Sequence, residues 1–183
     1  MTKPDPNTYW VVPDKLLAGE YPGHLSAVAA REKLRAFLDA GVRHFVDLTQ
    51  AGELEDYREI LLAEAKALGA EVTYRRVPIQ DFSVPEGPDA MASILDAIDA
   101  GWAREGVTYV HCWGGIGRTG LVIACWLQKQ GRTADEALAE LAQLWQASDQ
   151  SKRYPNSPET AAQVAWVRNW RGKTTTTTAA GGG

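Results

Sequence analysis

Histidine and cysteine are scarce in this chain, three and two among 183 residues. So short a supply excludes a disulfide-stapled scaffold and leaves no cluster with metal-ligand spacing, so neither a metal nor another cofactor is expected. No apolar run approaches membrane-spanning length, and Met1 to Pro6 show no apolar signal region. A basic stripe is also missing. The formal net charge is −4 with both signs mixed along the chain, so neither nucleic acid nor a membrane is an expected partner. These absences predict a soluble, monomeric protein of a reducing compartment such as the cytoplasm.

What the chain does hold is apolar material, 45% of its residues, with seven tryptophans. That is enough for a sizeable core in a single domain, expected over residues 1–172. Residues 173–183 are Thr, Ala and Gly after one Lys and read as a disordered tail. Short strands are expected at Tyr9 to Val12, Lys15 to Gly19, Arg43 to Thr49, Glu71 to Ile79 and Val107 to His111. Helical spacing predicts helices from Ser26 to Ala40, Leu54 to Leu68, Pro88 to Trp102, Arg118 to Gln130, Thr133 to Ala147 and Pro158 to Trp170. This alternation predicts an α/β fold: a central, mostly parallel sheet flanked by helices in three layers, with any ligand beyond the carboxyl ends of the strands.

At one of those carboxyl ends stands Val110-His111-Cys112-Trp113-Gly114-Gly115-Ile116-Gly117-Arg118-Thr119-Gly120. A tight glycine-rich loop turns successive backbone N–H groups inward, and the helix behind it adds its dipole, which makes a concave anion site. Cys112 at its base would have a stabilised thiolate and could act as a nucleophile. Arg118 offers a planar fork that matches two phosphate oxygens. The backbone of Trp113, Gly114, Gly115, Ile116 and Gly117, with Arg118, would hold the phosphate. Residues 115–120 also spell G-x-G-x-x-G, the dinucleotide fingerprint. That motif requires a further strand ending in an acidic residue, and here only helices follow. A nucleoside-triphosphate loop would need Gly in place of Cys112 and Lys in place of Arg118.

This loop resembles the signature loop of the cysteine-based protein tyrosine phosphatase superfamily: His-Cys, five residues, Arg, then Ser or Thr. The Gly-x-Gly-Arg-Thr-Gly ending is similar to small dual-specificity-like members, and Trp-Gly-Gly to the kinase-associated phosphatase branch. The resemblance implies that Cys112 attacks phosphorus, Arg118 binds the phosphoryl oxygens, Thr119 assists departure of the thiolate and His111 holds the loop and keeps the thiolate's pKa low. An ester leaving group also needs a proton, which a thiolate cannot give. Asp81, in Pro78-Ile79-Gln80-Asp81 just past a predicted strand, is similar in motif and place to the family's general acid; the alternative is a loop aspartate capping the helix at Pro88. Asp89 competes less well for that role.

The remaining candidates read as structural. Cys125 lies in an apolar helix as a core thiol, the alternative being a disulfide that protects Cys112. His44 sits in an apolar strand and His24 in a turn. Trp113 either packs beneath the loop or walls the pocket, and Arg153 is a candidate substrate contact. The absence of lysine from positions 113 to 117 favours a monophosphate. The expected reaction is hydrolysis of phosphotyrosine, and of phosphoserine or phosphothreonine, through a phosphocysteine, on a phosphorylated protein or small phosphomonoester. The alternatives are a phosphoinositide or small-molecule phosphatase, and an idle phosphate-binding module.

Overall fold

The computed structural model describes residues 2–172, so the expected tail lies outside the described residues. A five-stranded sheet of order β1-β2-β5-β3-β4 forms the centre. Its strands are β1 (Thr8–Val12), β2 (Leu16–Gly19), β3 (Val42–Asp47), β4 (Thr73–Arg76) and β5 (Val107–His111). β1 pairs with β2 antiparallel across the Pro13-Asp14 turn, and the other pairs are parallel. β5 lies in the middle and is buried along its whole length, which suits its β-branched and aromatic sequence VTYVH.

Six helices cover the two faces: α1 (Ala27–Asp39), α2 (Arg58–Ala67), α3 (Pro88–Trp102), α4 (Gly117–Lys129), α5 (Ala134–Trp145) and α6 (Ala161–Asn169). Helices α1 and α2 bury Leu34, Phe37, Leu38 and Leu61 against Phe45 and Tyr109 in one core. On the other face, α3, α4 and α5 pack Ile94, Ile98, Leu121, Ile123, Leu141 and Trp145 into a larger core. Helix α4 is buried continuously from Gly117 to Leu127, as its nearly unbroken apolar sequence requires.

Two helices begin later than their sequence spacing suggests. Helix α2 starts at Arg58, not Leu54, because residues 50–53 form a turn in which Glu53 N–H bonds to Gln50 O at 3.2 Å. Asp56 Oδ1 accepts from Arg58 N at 2.9 Å just ahead of the helix. Helix α6 starts at Ala161, not Pro158, because Thr160 and Gln163 close a capping box there. The strand expected over residues 71–79 pairs only from Thr73 to Arg76, at the edge of the sheet.

Register aligns the strand ends. Gly19 and Asp47 both pair with His111, and Arg76 pairs with Asp47, so four residues form one row across the sheet's carboxyl edge. The segments that leave this row are the ones that build the site. Helix α4 closes the larger core against the sheet, so Ile123→Ala should lower unfolding free energy by about 2–5 kcal/mol. Urea denaturation measures it, and a loss below about 1 kcal/mol would contradict the close packing described.

Candidate active site

β5 ends at His111, and the chain turns through residues 112–116 into the N-terminus of α4. Gly115 makes this turn possible. It has φ +74°, and a Cβ there would stand 2.6 Å from Gly19 O at the end of β2. Gly120, on the first turn of α4, has no room for a Cβ against Ser157 Oγ, which itself donates to Ile116 O at 2.8 Å. Loop, β2 and the segment before α6 are thus in backbone contact.

Cys112 lies at the base of the turn, 3% exposed, and Arg118 is buried to 1%. Together with Asp81, Trp113, Gly114, Ile116 and Gly117 they line a cleft of about 530 Å³, which Glu20, Phe82, Gln150, Arg153, Tyr154 and Glu159 complete. A larger hollow of about 690 Å³, between α3, α4 and residues 170–172, is lined by neither cysteine nor histidine. Gly115 faces β2 and not the cleft. Trp113, 57% exposed, walls the cleft; it does not pack beneath the loop. Arg153 is on the rim with its guanidinium 5.3 Å from the centre of the Tyr154 ring.

A buried guanidinium demands anions, and two carboxylates supply them. Glu53 grips the end of Arg118 in a fork, Oε2 to Nη1 at 2.8 Å and Oε1 to Nη2 at 2.6 Å. Asp81 Oδ1 approaches Nη2 at 2.9 Å, and Ile79 O accepts from Nη1 at 3.1 Å. The Nε–H of Arg118 is buried without a partner, and so is the Thr119 hydroxyl. Hence Nε with Nη2 forms the edge of the fork left for a further acceptor, and Asp81 Oδ1 lies beside its Nη2 end. Burial disfavours the charged form of Arg118, but Glu53, Cys112 and Asp81 overcome this and raise its pKa further.

Behind the loop, His111 bridges to the core. Its Nδ1 is 3.2 Å from Cys112 O and its Nε2 is 2.7 Å from Tyr57 Oη. Burial lowers the imidazole pKa despite the Asp47 carboxylate, and burial raises that of the Tyr57 hydroxyl. A neutral ring therefore donates from Nδ1 to the Cys112 carbonyl and accepts from Tyr57 at Nε2. His111 fixes the loop by this bond, and burial keeps its ring neutral.

Other residues take the structural places their settings suggest. His44 is satisfied by Thr73 Oγ1 at 2.8 Å and Glu105 O at 3.0 Å. His24 is exposed and accepts from Ser26 N. Cys125 is fully buried, and burial raises its pKa. Both it and Cys112 are free thiols in this structure. Among the described residues no group of His, Cys, Asp and Glu is arranged to hold a metal. No helix among them is long and apolar enough to cross a membrane.

Sequence reading missed Glu53, Glu159 and Gln163. Gln163 Nε2 donates to Ser83 O at 3.0 Å, tying the Asp81 loop to α6. Glu159 lies on the cleft wall, where burial and then Asp81 raise its pKa. The only local signal for Glu53 was its place after Gly52, just past the end of a strand.

The fold and loop define a small dual-specificity-type cysteine phosphatase domain. More particularly, the chain belongs to the family described as the DSP-PTPase phosphatase of polymorphic toxin systems, which matches residues 20–132. Among curated relatives, the 067L protein of Invertebrate iridescent virus 3 is 29% identical over 162 residues. The match takes in 87% of this chain and 58% of the viral protein's length. The fold is also that of Tk-PTP in its active form, with TM-score 0.63 at 22% identity, covering 87% of this chain and 92% of that one. Kinase associated phosphatase gives 0.62 at 21%, covering 83% of each chain.

Asp47 and Glu53 connect the site to stability. Burial raises both carboxyls, but the hydrogen bonds from Tyr74 and Thr49 to Asp47, and Arg118 and Gln50 N–H around Glu53, hold both below their usual values. A depressed folded-state pKa contributes stability that is fully present above the unfolded value, near pH 4, and is lost as pH falls through the folded one. Urea melts across that range should show a steep acid loss, made shallower by Glu53→Gln. An unchanged acid slope in that variant would contradict the assignment.

Proposed function

We propose that residues 1–172 form a single phosphatase domain that hydrolyses phosphate monoesters of proteins, on tyrosine and also on serine or threonine, through a phosphocysteine. One observation carries this reading: a buried cysteine and a buried arginine line the same cleft, and the arginine keeps an unpartnered Nε–H. A phosphate dianion entering the loop meets inward backbone N–H groups, the N-terminus of α4 and the Nε–Nη2 edge of Arg118. Taking Nη2 displaces Asp81, which is then free to turn to the leaving oxygen.

Cys112 Sγ attacks phosphorus, the P–O bond to the alcohol or phenol breaks, and Asp81 delivers its proton to that oxygen. Water next attacks the phosphocysteine, giving a proton to Asp81 as the P–S bond breaks. The Thr119 hydroxyl, which has no other partner, donates to the departing thiolate. His111 holds the Cys112 carbonyl throughout. No cofactor enters either step. The apolar and glycine composition of residues 113–117, with Glu20, Asp81 and Glu159 on the walls, supports a monophosphate over a polyphosphorylated headgroup.

Hydrolysis of aryl phosphates tests this. Cys112→Ser should abolish turnover. Asp81→Asn should lower kcat by about 10²–10⁴ for phenyl phosphate and much less for p-nitrophenyl phosphate, whose leaving group needs no proton. Equal losses on both would remove Asp81 from the acid role. Phosphate binding by the intact chain without turnover would leave an idle binding module, and preference for an inositol phosphate over phosphopeptides would make it a headgroup phosphatase.

A further inference from the structure

Below the cleft lies a group that the reaction itself does not use. Asp47, the last residue of β3, is wholly buried yet ionised, a costly placement for a carboxylate. Its Oδ1 accepts from Thr49 N at 2.8 Å and Thr49 Oγ1 at 2.7 Å. Its Oδ2 accepts from Tyr74 Oη at 2.6 Å and Arg76 Nε at 3.1 Å. His111 Nε2 stands 4.0 Å from Oδ1.

Three segments diverge from this residue. Thr49, pinned by the Asp47 carboxylate, begins the turn whose Gln50 N–H bonds to Glu53 Oε2 at 2.9 Å. That same Glu53 carboxylate forks onto Arg118. The Asp47 carbonyl accepts from Val77 N, and Leu48 O from Ile79 N, which sets the start of the Asp81 loop and the Ile79 carbonyl on Arg118. Leu48 N–H bonds to His111 O at 2.9 Å, beside Cys112.

We infer that Asp47 is the positioning residue of the phosphate site: through Thr49 it fixes the turn that carries Glu53 onto Arg118, and so presents the Nε–Nη2 edge to the ligand. Glu53 holds the far end of the guanidinium and does not compete for that edge. Its grip spares phosphate the ordering of a long side chain. The inference rests on the phosphate-binding role given to Arg118 above, but not on turnover.

Calorimetry with inorganic phosphate on the full chain reads the effect directly, alongside thermal melts. Thr49→Val keeps the shape of the residue and removes only the hydroxyl bond to Asp47. It should weaken phosphate about three- to tenfold, the scale of one ordinary hydrogen bond lost. Asp47→Asn should weaken it at least as much. With Glu53→Gln already present, adding Thr49→Val should change affinity by less than about twofold, because the connecting carboxylate is gone. A lower melting temperature with unchanged phosphate affinity would show that Asp47 only supports the fold and would overturn the inference. So would a double variant in which the two losses multiply. Should Asp47→Asn fail to fold, Thr49→Val and its cycle decide alone. Weak phosphate binding by the unaltered chain would instead count against the phosphate site itself.

Discussion

The whole site depends on keeping a guanidinium out of water. Arg118 is 1% exposed, and an isolated charge at that depth would not be tolerated. Its two carboxylate partners come from distant parts of the chain: Glu53 from the turn after β3, Asp81 from the loop after β4. To deliver both, those strands must end at the level where β5 gives way to the signature loop. The aligned row of Gly19, His111, Asp47 and Arg76 meets that requirement. Sheet register is therefore part of the chemistry, because a slip of one residue would turn these side chains to the opposite face.

The same constraint explains the density of small residues and caps around the loop. Gly115 rests on the backbone of β2, Gly120 on Ser157, and Gly117 faces Gln163 and Glu159. The segment before α6 thereby fills the back of the loop, and the Thr160–Gln163 capping box holds that segment in place. Gln163 then reaches Ser83, so the Asp81 loop and the Cys112 loop share a support. Rigid surroundings suit a site in which reacting groups must be held within a fraction of an ångström.

Much of this was legible in the residues alone. The signature loop, β5 and α3 fall where periodicity and punctuation place them, because local forces set them: a continuous apolar strand, a proline at the first turn of a helix, a glycine that permits positive φ. The place of Asp81 on the cleft wall was legible because its position after a strand and its local string coincide. Glu53 was not, since its partner stands 65 residues away and nothing nearby marks the pairing. Spacing extended α2 back to Leu54 because Leu54 and Tyr57 continue its apolar pattern. A turn serving Arg118 takes those residues instead, and Tyr57 still buries its ring at the helix start. Asp47 read as one more residue of a strand, because only the finished sheet brings Tyr74, Arg76 and His111 around it.

The position of Trp113 also gives the molecule an optical property. The other six tryptophans are buried in the cores or packed against them, whereas this indole stands 57% exposed on the cleft wall. Its backbone carbonyl accepts from Tyr21 N at 2.8 Å, so the ring is carried on a fixed stem. Any ligand that fills the cleft replaces water around the indole, and its emission reports occupancy without an attached dye.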